Sequence, residues 1–270
     1  MNRALTEWSK WSETIRVSWS ERLVYKLNFC LMIIAPTLVF FFIKYNLWSS
    51  IYEMPGVRLI KGYSLDAMLQ YQALVMITAF LSQGYNSMDL ASDIRLGRMS
   101  KFLIYPFSFG KYHFGRFLAL QAIQLAVAVV TLLLVLKSGV IAPLALDNLF
   151  CGFALTFCVS VMWFSICFIL GLVAFWMEQT WVLRVMFLIV SQFLSGAIIP
   201  LDLFPGWLNQ ILQYLPFPFL TYVPVKVFSG EYSGNYIIAL LSTLVWTFVF
   251  SGLAWVIWKR GVMRYTAAGM

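Results

Sequence analysis

Hydrophobic positions along this chain gather into long runs with few charges, and short polar stretches separate the runs. A helix of about 20 apolar residues is long enough to cross the roughly 30 Å hydrocarbon core of a bilayer. Six runs have about that length, at 23–45, 67–88, 117–136, 148–176, 181–199 and 235–258. The pattern therefore predicts an all-α integral membrane protein with six transmembrane helices, which form one domain over residues 23–270.

The first 22 residues are polar, yet they carry an apolar stripe at helical spacing. Its members are Leu5, Trp8, Trp11, Ile15 and Trp19, which fall on one face of a helix. A tryptophan-rich face opposite mixed charges is typical of a helix that lies in the membrane interface and contacts lipids. Residues 1–22 are therefore predicted to form an amphipathic interfacial helix. The alternative is a plain helix packed on the rest of the protein.

Composition supports a membrane protein and removes other classes. Of 270 residues, 61% are hydrophobic and 11% are charged, and the mean hydropathy is +0.83. Soluble domains are roughly half apolar and a quarter charged, so a soluble enzyme, a disordered chain and a nucleic-acid-binding module are excluded. The four cysteines lie inside apolar runs without CxxC spacing, so neither a zinc site nor a disulfide framework is predicted.

The basic residues are distributed unevenly between the two sides of the predicted membrane. If the N-terminus lies inside, 14 of the 19 Lys and Arg residues also fall inside. The outer five are Lys44, Arg58, Lys61, Lys137 and Lys226. Cytoplasmic loops carry an excess of Lys and Arg, so both termini are predicted to be cytoplasmic.

Residues 89–110, between the second and third runs, have a pattern that spanning alone does not explain. Ile94 and Met99 alternate with charged residues, Gly97 can end a short helix, and Pro106 prevents an easy continuation into the next run. We expect a short amphipathic cytoplasmic helix, parallel to the membrane, with its charged side toward the cytosol. Its functional interpretation is a docking surface for a soluble partner, and the alternative is an ordinary interfacial turn.

Residues 195–230, on the outer side, are apolar but interrupted by prolines. These are Pro200, Pro205, Pro216, Pro218 and Pro224, and each one inside a helix would remove a hydrogen bond. A short helix fits between Pro205 and Pro216, with Trp207, Ile211 and Leu215 on one face. Irregular backbone at membrane depth persists only where protein buries it or where it lines a wet cavity. We expect a broken re-entrant hairpin between the fifth and sixth helices; the alternative is an exposed amphipathic loop.

These two segments, in this order on a six-span chain, resemble the permease subunit of an ABC transporter of the ABC-2 class. The resemblance is to a bacterial permease family that was formerly listed as a domain of unknown function. The matching pieces are DIRLGRMSKFLIYP at 93–106, SGAIIPLDLFP at 195–205, LPF at 215–217 and FSG at 228–230. The order of the pieces carries the resemblance, which extends over most of the chain from about residue 20.

The resemblance implies a mechanism and roles for particular residues. Two identical or paralogous permease subunits would pair in the bacterial inner membrane, and each would dock a cytoplasmic ATPase that binds ATP and Mg²⁺. Residues 1–22 would be the connecting helix. Coupling to the ATPase would involve Asp89, Asp93, Arg95, Gly97 and Arg98. The re-entrant gate would include Ser195, Gly196, Pro200, Pro205, Leu215 and Pro216. Candidates that line the transport path are Gln83, Ser191, Gln192 and Ser195.

The chain has no catalytic pattern of its own. It contains no GxxxxGK[ST], GxSxG or HExxH sequence, so no cofactor is expected in this chain and energy would come from another polypeptide. The single histidine, His113, is interpreted as an interfacial residue rather than a metal ligand.

The alternative functions differ in what they require of the membrane helices. No predicted span carries a carboxylate at its centre, which disfavours a carrier coupled to protons or sodium. A weakly polar, aromatic wall is compatible with export of a hydrophobic or amphiphilic, lipid-like substrate. A secondary transporter or channel without an ATPase remains an alternative, as does a membrane-embedded enzyme or assembly factor.

Overall fold

The computed structural model describes residues 2–23, 39, 41–56, 58–85, 88–104, 107–137 and 139–265. Most of the first predicted span, 24–38, therefore lies outside the described residues. Over the described ranges the chain is helical, apart from turns and one isolated bridge between Ile60 and Tyr63.

Twelve helices are described. They are α1 (Asn2–Leu23), α2 (41–52), α3 (Leu65–Ser82), α4 (Met88–Arg95), α5 (Ser100–Ile104), α6 (Phe109–Lys137), α7 (Leu146–Leu172), α8 (Thr180–Leu194), α9 (Gly206–Leu212), α10 (Phe217–Leu220), α11 (Tyr222–Ser229) and α12 (Tyr236–Val262). Short 3₁₀ helices cover Val173–Phe175 and Leu201–Leu203.

Four of the described helices are long and apolar enough to cross a membrane: α3, α6, α7 with its 3₁₀ extension, and α12. They correspond to the second, third, fourth and sixth predicted spans. The fifth corresponds to α8, whose 15 residues reach only about 22 Å as a helix. It ends at Leu194, five residues earlier than predicted, because the chain turns at Ser195 and Gly196.

The second predicted span is also shorter than predicted, because glutamines of α6 occupy the place where α3 would continue. Gln121 Nε2 donates to the Leu81 carbonyl at 2.5 Å. Any side chain at Gly84 would overlap the Gln124 amide. Both glutamines therefore serve contact between helices, and α3 ends at Ser82 rather than at 88.

The central helix of the fold is α7, which packs against α3, α4, α8, α11 and α12. Its face carries fully buried Leu155, Val159 and Met162. The N-terminal helix α1 lies along α6: Trp11 and Thr14 pack at Gly115, and Trp19 Nε1 donates to the Ala119 carbonyl at 2.9 Å. The position of α1 in a membrane interface stays a prediction.

Gly152 of α7 allows α11 to pack closely. A methyl group at this position would overlap the Phe228 ring, whereas Gly252 of α12 has open space around it. We expect Gly152→Ala to destabilise the protein by about 1–3 kcal/mol through overpacking. The control Gly252→Ala should be neutral or stabilising by up to about 1 kcal/mol, because alanine favours helix. Thermal unfolding in detergent measures both, and equal effects would contradict this packing.

Candidate functional site

Two polar clusters lie at opposite ends of α3. The foot cluster is formed by Tyr85, Asp93, Arg98 and His113, beyond the end of α3. The gate cluster is formed by Tyr63, Asp202, Tyr222 and Lys226, at its beginning. They coincide with the two segments that the sequence singled out.

The foot is the pair of short helices α4 and α5. One face of α4, with Leu90, Ala91 and Ile94, is buried against α7 and the 3₁₀ helix that follows α7. After Arg95 the chain turns at Gly97, where φ is +70°, a conformation that glycine adopts without steric cost. The predicted end of a short helix at Gly97 is confirmed.

Asp93 lies inside the protein, so the expectation that the charges of this segment face the cytosol is wrong for this residue. It is 8% exposed, since the buried face of α4 includes it. Its carboxylate lies 2.9 Å from Arg98 Nε and 3.5 Å from His113 Nε2. His113 Nδ1 is in turn 3.2 Å from the Tyr85 hydroxyl. With Tyr85 donating to Nδ1, the neutral ring carries its hydrogen on Nε2, which faces Asp93.

His113 is fully buried rather than interfacial, as the sequence had suggested. The rings of Phe109, Tyr112 and Phe168 surround it. Within the described residues, no group of three or more His, Cys, Asp or Glu could hold a metal ion. The histidine therefore joins α6 to the foot through Asp93.

The charge of Asp93 is stabilised in place. Burial alone would raise the pKa of Asp93, but His113, Arg98 and Lys101 outweigh burial and lower it. A lowered folded-state pKa means that the carboxylate stabilises the fold above its ordinary pKa, near 4. This stabilisation is lost as the pH falls through the folded-state value.

The tip of the foot is exposed and partly apolar. Arg95 is exposed, Arg98 is half exposed, and Leu96 is 61% exposed. At the end of α5, Ile104 is 85% exposed. Leu96 and Ile104 were missed by the sequence reasoning, which weighed charges and the turn glycine but could not tell which apolar residues stay outside.

Asp89, the remaining predicted coupling residue, is directed toward α6. Its carboxylate lies 3.3 Å from Arg116 and its side chain is about half exposed. The five predicted coupling residues therefore divide into an exposed pair, Arg95 and Arg98, a turn at Gly97, and two acids that hold the foot to α6.

The turn after α8 places three consecutive carbonyls inside the protein, and side chains from α2 and α3 satisfy each one. Tyr71 donates to Gly196 O at 2.7 Å, Lys44 to Ala197 O at 2.7 Å, and Gln72 to Ile198 O at 3.2 Å. Gly196 has φ +81°, and Tyr71, Tyr222 and Leu201 closely surround its Cα. Non-helical backbone is thus buried in protein, as membrane depth would require.

The gate cluster centres on Asp202. Its carboxylate accepts hydrogen bonds from the hydroxyls of Tyr63 and Tyr222, and Lys226 Nζ lies 3.4 Å away. Burial alone would raise the pKa of Asp202, but the two tyrosines and Lys226 outweigh it and lower the pKa. The cluster therefore ties the loop before α3 to α11 through one carboxylate.

The proline-rich segment is broken as predicted. Pro205 precedes α9 and Pro216 precedes α10. The helices α10 and α11 are buried against α7, whereas α9 lies at the surface with Trp207 and Ile211 exposed. The predicted apolar face of α9 therefore points outward, and Leu212 is its buried residue. Entry of this segment into a membrane stays a prediction.

The four predicted path-lining residues pack near the base of this segment. Gln83 Nε2 donates to Thr221 Oγ1 at 3.4 Å, and the Tyr222 amide donates to the Ser195 carbonyl at 2.9 Å. Ser191 bonds within its own helix, and Gln192 is half-buried. Among the described residues, the buried Ser195 hydroxyl has no hydrogen-bond partner. The remaining predicted gate residue, Leu215, is half-buried.

Comparison with known proteins identifies a family. The model of a family described as ABC-2 family transporter protein matches residues 26–269. The match covers the foot, the gate and all four membrane-span candidates, and it confirms the resemblance seen in the sequence. No curated protein matches the chain.

We expect Asp93→Ala to destabilise the protein by about 2–3 kcal/mol, because it leaves Arg98 and His113 without their partner. The matched variant Asp89→Ala removes a more exposed acid and should cost less than about 1 kcal/mol. Chemical or thermal unfolding of the two purified variants measures the difference. Equal losses would contradict a buried fastening role for Asp93.

The pH dependence of Asp202 follows from its lowered pKa. The carboxylate stabilises the fold above its ordinary pKa, near 4, and this stabilisation disappears as the pH falls through the lower folded-state value. We expect Asp202→Asn to lower the Tm at pH 7, and the gap to the unchanged protein to narrow toward pH 3. A gap that is constant from pH 7 to pH 3 would contradict the ionised state of Asp202.

Proposed function

The chain belongs to the ABC-2 transporter family, and on that premise we propose that it is the permease subunit of an ATP-driven exporter. The exporter would move a hydrophobic or amphiphilic, lipid-like molecule across the bacterial inner membrane. The observation that carries the proposal is the foot, whose tip is exposed while its base is fastened into the bundle by Asp93. Such an element can receive force from a soluble partner and pass it to the helices behind it.

The packing supports transmission of force from the foot to the gate. The foot contacts α7 at one end, and α11 of the gate contacts α7 elsewhere along its length. With 27 residues, α7 is about 40 Å long. Packed interiors have low compressibility and transmit strain, so displacement of the foot would tilt or shift α7 and disturb the gate cluster.

The proposed partners follow from what the chain leaves uncovered. The exposed tip of the foot would dock a cytoplasmic ATPase, which binds ATP and Mg²⁺. The apolar helix α8 has only Thr180 and Ser191 buried and is too short to span on its own, so a second permease subunit, identical or paralogous, is proposed to cover it. Both termini would then lie in the cytoplasm, together with the foot.

The gate would open by loss of the contacts around Asp202. In the structure this carboxylate joins Tyr63 to Tyr222, which holds the broken segment against α3. Release of either hydroxyl would free α11 to move relative to α3. The path-lining role of Gln83, Ser191, Gln192 and Ser195 is proposed for the paired, opened state.

The test is docking of the ATPase encoded beside this chain. We expect Leu96→Asp to weaken co-purification of the ATPase at least tenfold, equivalent to about 1.4 kcal/mol, because a charge would replace an exposed apolar contact. The control Leu146→Asp changes an equally exposed leucine at the opposite end of α7, and it should bind normally.

Transport in proteoliposomes completes the test and separates the alternative. ATP-dependent export that needs both proteins, and that Leu96→Asp abolishes while Leu146→Asp does not, would support the proposal. Full transport by the purified chain without any ATPase would instead establish a secondary transporter or channel. Unchanged ATPase binding by Leu96→Asp would overturn the assignment of the foot.

A further inference from the structure

An aromatic groove of about 530 Å³ lies between α1, the beginning of α6, α7 and α12. Its walls are six rings: Trp11, Phe114, Phe164, Phe168, Trp255 and Trp258. Its volume is within the range of small-molecule sites. It is separate from both the foot tip and the gate cluster, and no role proposed above uses it.

The floor of the groove offers no free hydrogen-bonding group to a ligand. Ser165 and Ser251 lie there, with their hydroxyl oxygens 3.0 Å apart, and the Ser165 hydroxyl also bonds to the Val161 carbonyl. The remaining floor is formed by Gly110 and Ala254. A ligand part that enters the groove is therefore apolar, because a polar one would lose its hydrogen bonds to water without replacement.

The mouth of the groove is basic. Lys111 lines it, and Lys259 Nζ lies 3.6 Å from the centre of the Trp255 ring at the edge. No carboxylate is among the described residues that line the groove. An anionic headgroup is thus complementary to the mouth, and an acyl chain is complementary to the floor.

The position of the groove fits the cytoplasmic leaflet. Lys111 lies in the first turn of α6 and Lys259 in the last turn of α12, and tryptophans are typical of the membrane interface. From Lys259 to Ser251, α12 descends about 12 Å. The groove therefore begins at headgroup level and reaches into the hydrocarbon.

We propose that the aromatic groove binds one anionic phospholipid of the cytoplasmic leaflet. One acyl chain lies between the rings, and the phosphate contacts Lys111 and Lys259. Because Trp11 forms one wall, the bound lipid fastens α1 to the bundle. This site does not depend on what the protein transports.

The experiment uses the full chain in nanodiscs with a phosphatidylglycerol that carries a photoactivatable acyl chain. Peptide mapping after illumination should find label on 251–258 of α12 and on 164–168 of α7. A phosphatidylcholine with the same acyl chain should give at least fivefold less label there. Equal labelling by the two lipids, or no label at these residues, would overturn the proposal.

Two variants test the two parts of the site separately. Gly110→Leu fills the groove, since the only neighbour of an added Cβ is Phe168 at 3.8 Å, and it should reduce labelling at least fivefold. The control Gly252→Leu has open space around it and should leave labelling unchanged. Unfolding temperature is measured for both.

The charge of the mouth is tested by Lys111→Gln combined with Lys259→Gln. Both changes are conservative in size and lie at the edge of the protein, so the fold is expected to persist. Phosphatidylglycerol labelling should fall to the phosphatidylcholine level. Labelling that survives this change, or that survives Gly110→Leu, contradicts the site. None of these outcomes depends on ATPase binding, so the proposed function can fail independently.

Discussion

Every backbone group that leaves a helix inside an apolar bundle has to find a partner within the protein. This requirement decides where the irregular parts of the chain can lie. The open end of α3 receives Gln121 from α6, and the turn after α8 receives Tyr71, Lys44 and Gln72. In each case a polar side chain from a neighbouring helix supplies the donor. The interruptions are therefore fixed points of the structure, and the gate is built on one of them.

The same logic applies to charge at the two ends. Asp93 and Asp202 are acids that the fold partly or fully removes from water, and each is surrounded by donors and a cation. A carboxylate in that setting holds several elements at once, because removing any partner leaves it less well solvated. Asp93 joins α4 to α6, and Asp202 joins the loop before α3 to α11. The two elements with proposed moving roles are thus held by ionic contacts rather than by apolar packing alone.

The sequence predicted the elements well and their contacts poorly. Long apolar runs and proline breaks are local signals, so four full-length spans, the short foot helix, the turn at Gly97 and the broken segment could be predicted. The end of α3 could not, because it depends on Gln124, which is 40 residues away from Gly84. Burial of Asp93 could not either, since periodicity does not tell which charged residue faces a helix that is still unplaced. The carbonyls after α8 are held by donors more than 120 residues away, and no local pattern encodes such pairs.

The arrangement around α7 connects these observations. Its end contacts the foot, its side is approached closely by α11 through Gly152, and its other face forms the core with α12. A helix held by packing on all sides moves as a unit or not at all, because close-packed side chains resist independent displacement. Force applied at the exposed tip of the foot therefore has one stiff route to the gate. The weakest contacts on that route are those around the half-buried Asp202, whose carboxylate still reaches water, so this is where the route would yield first.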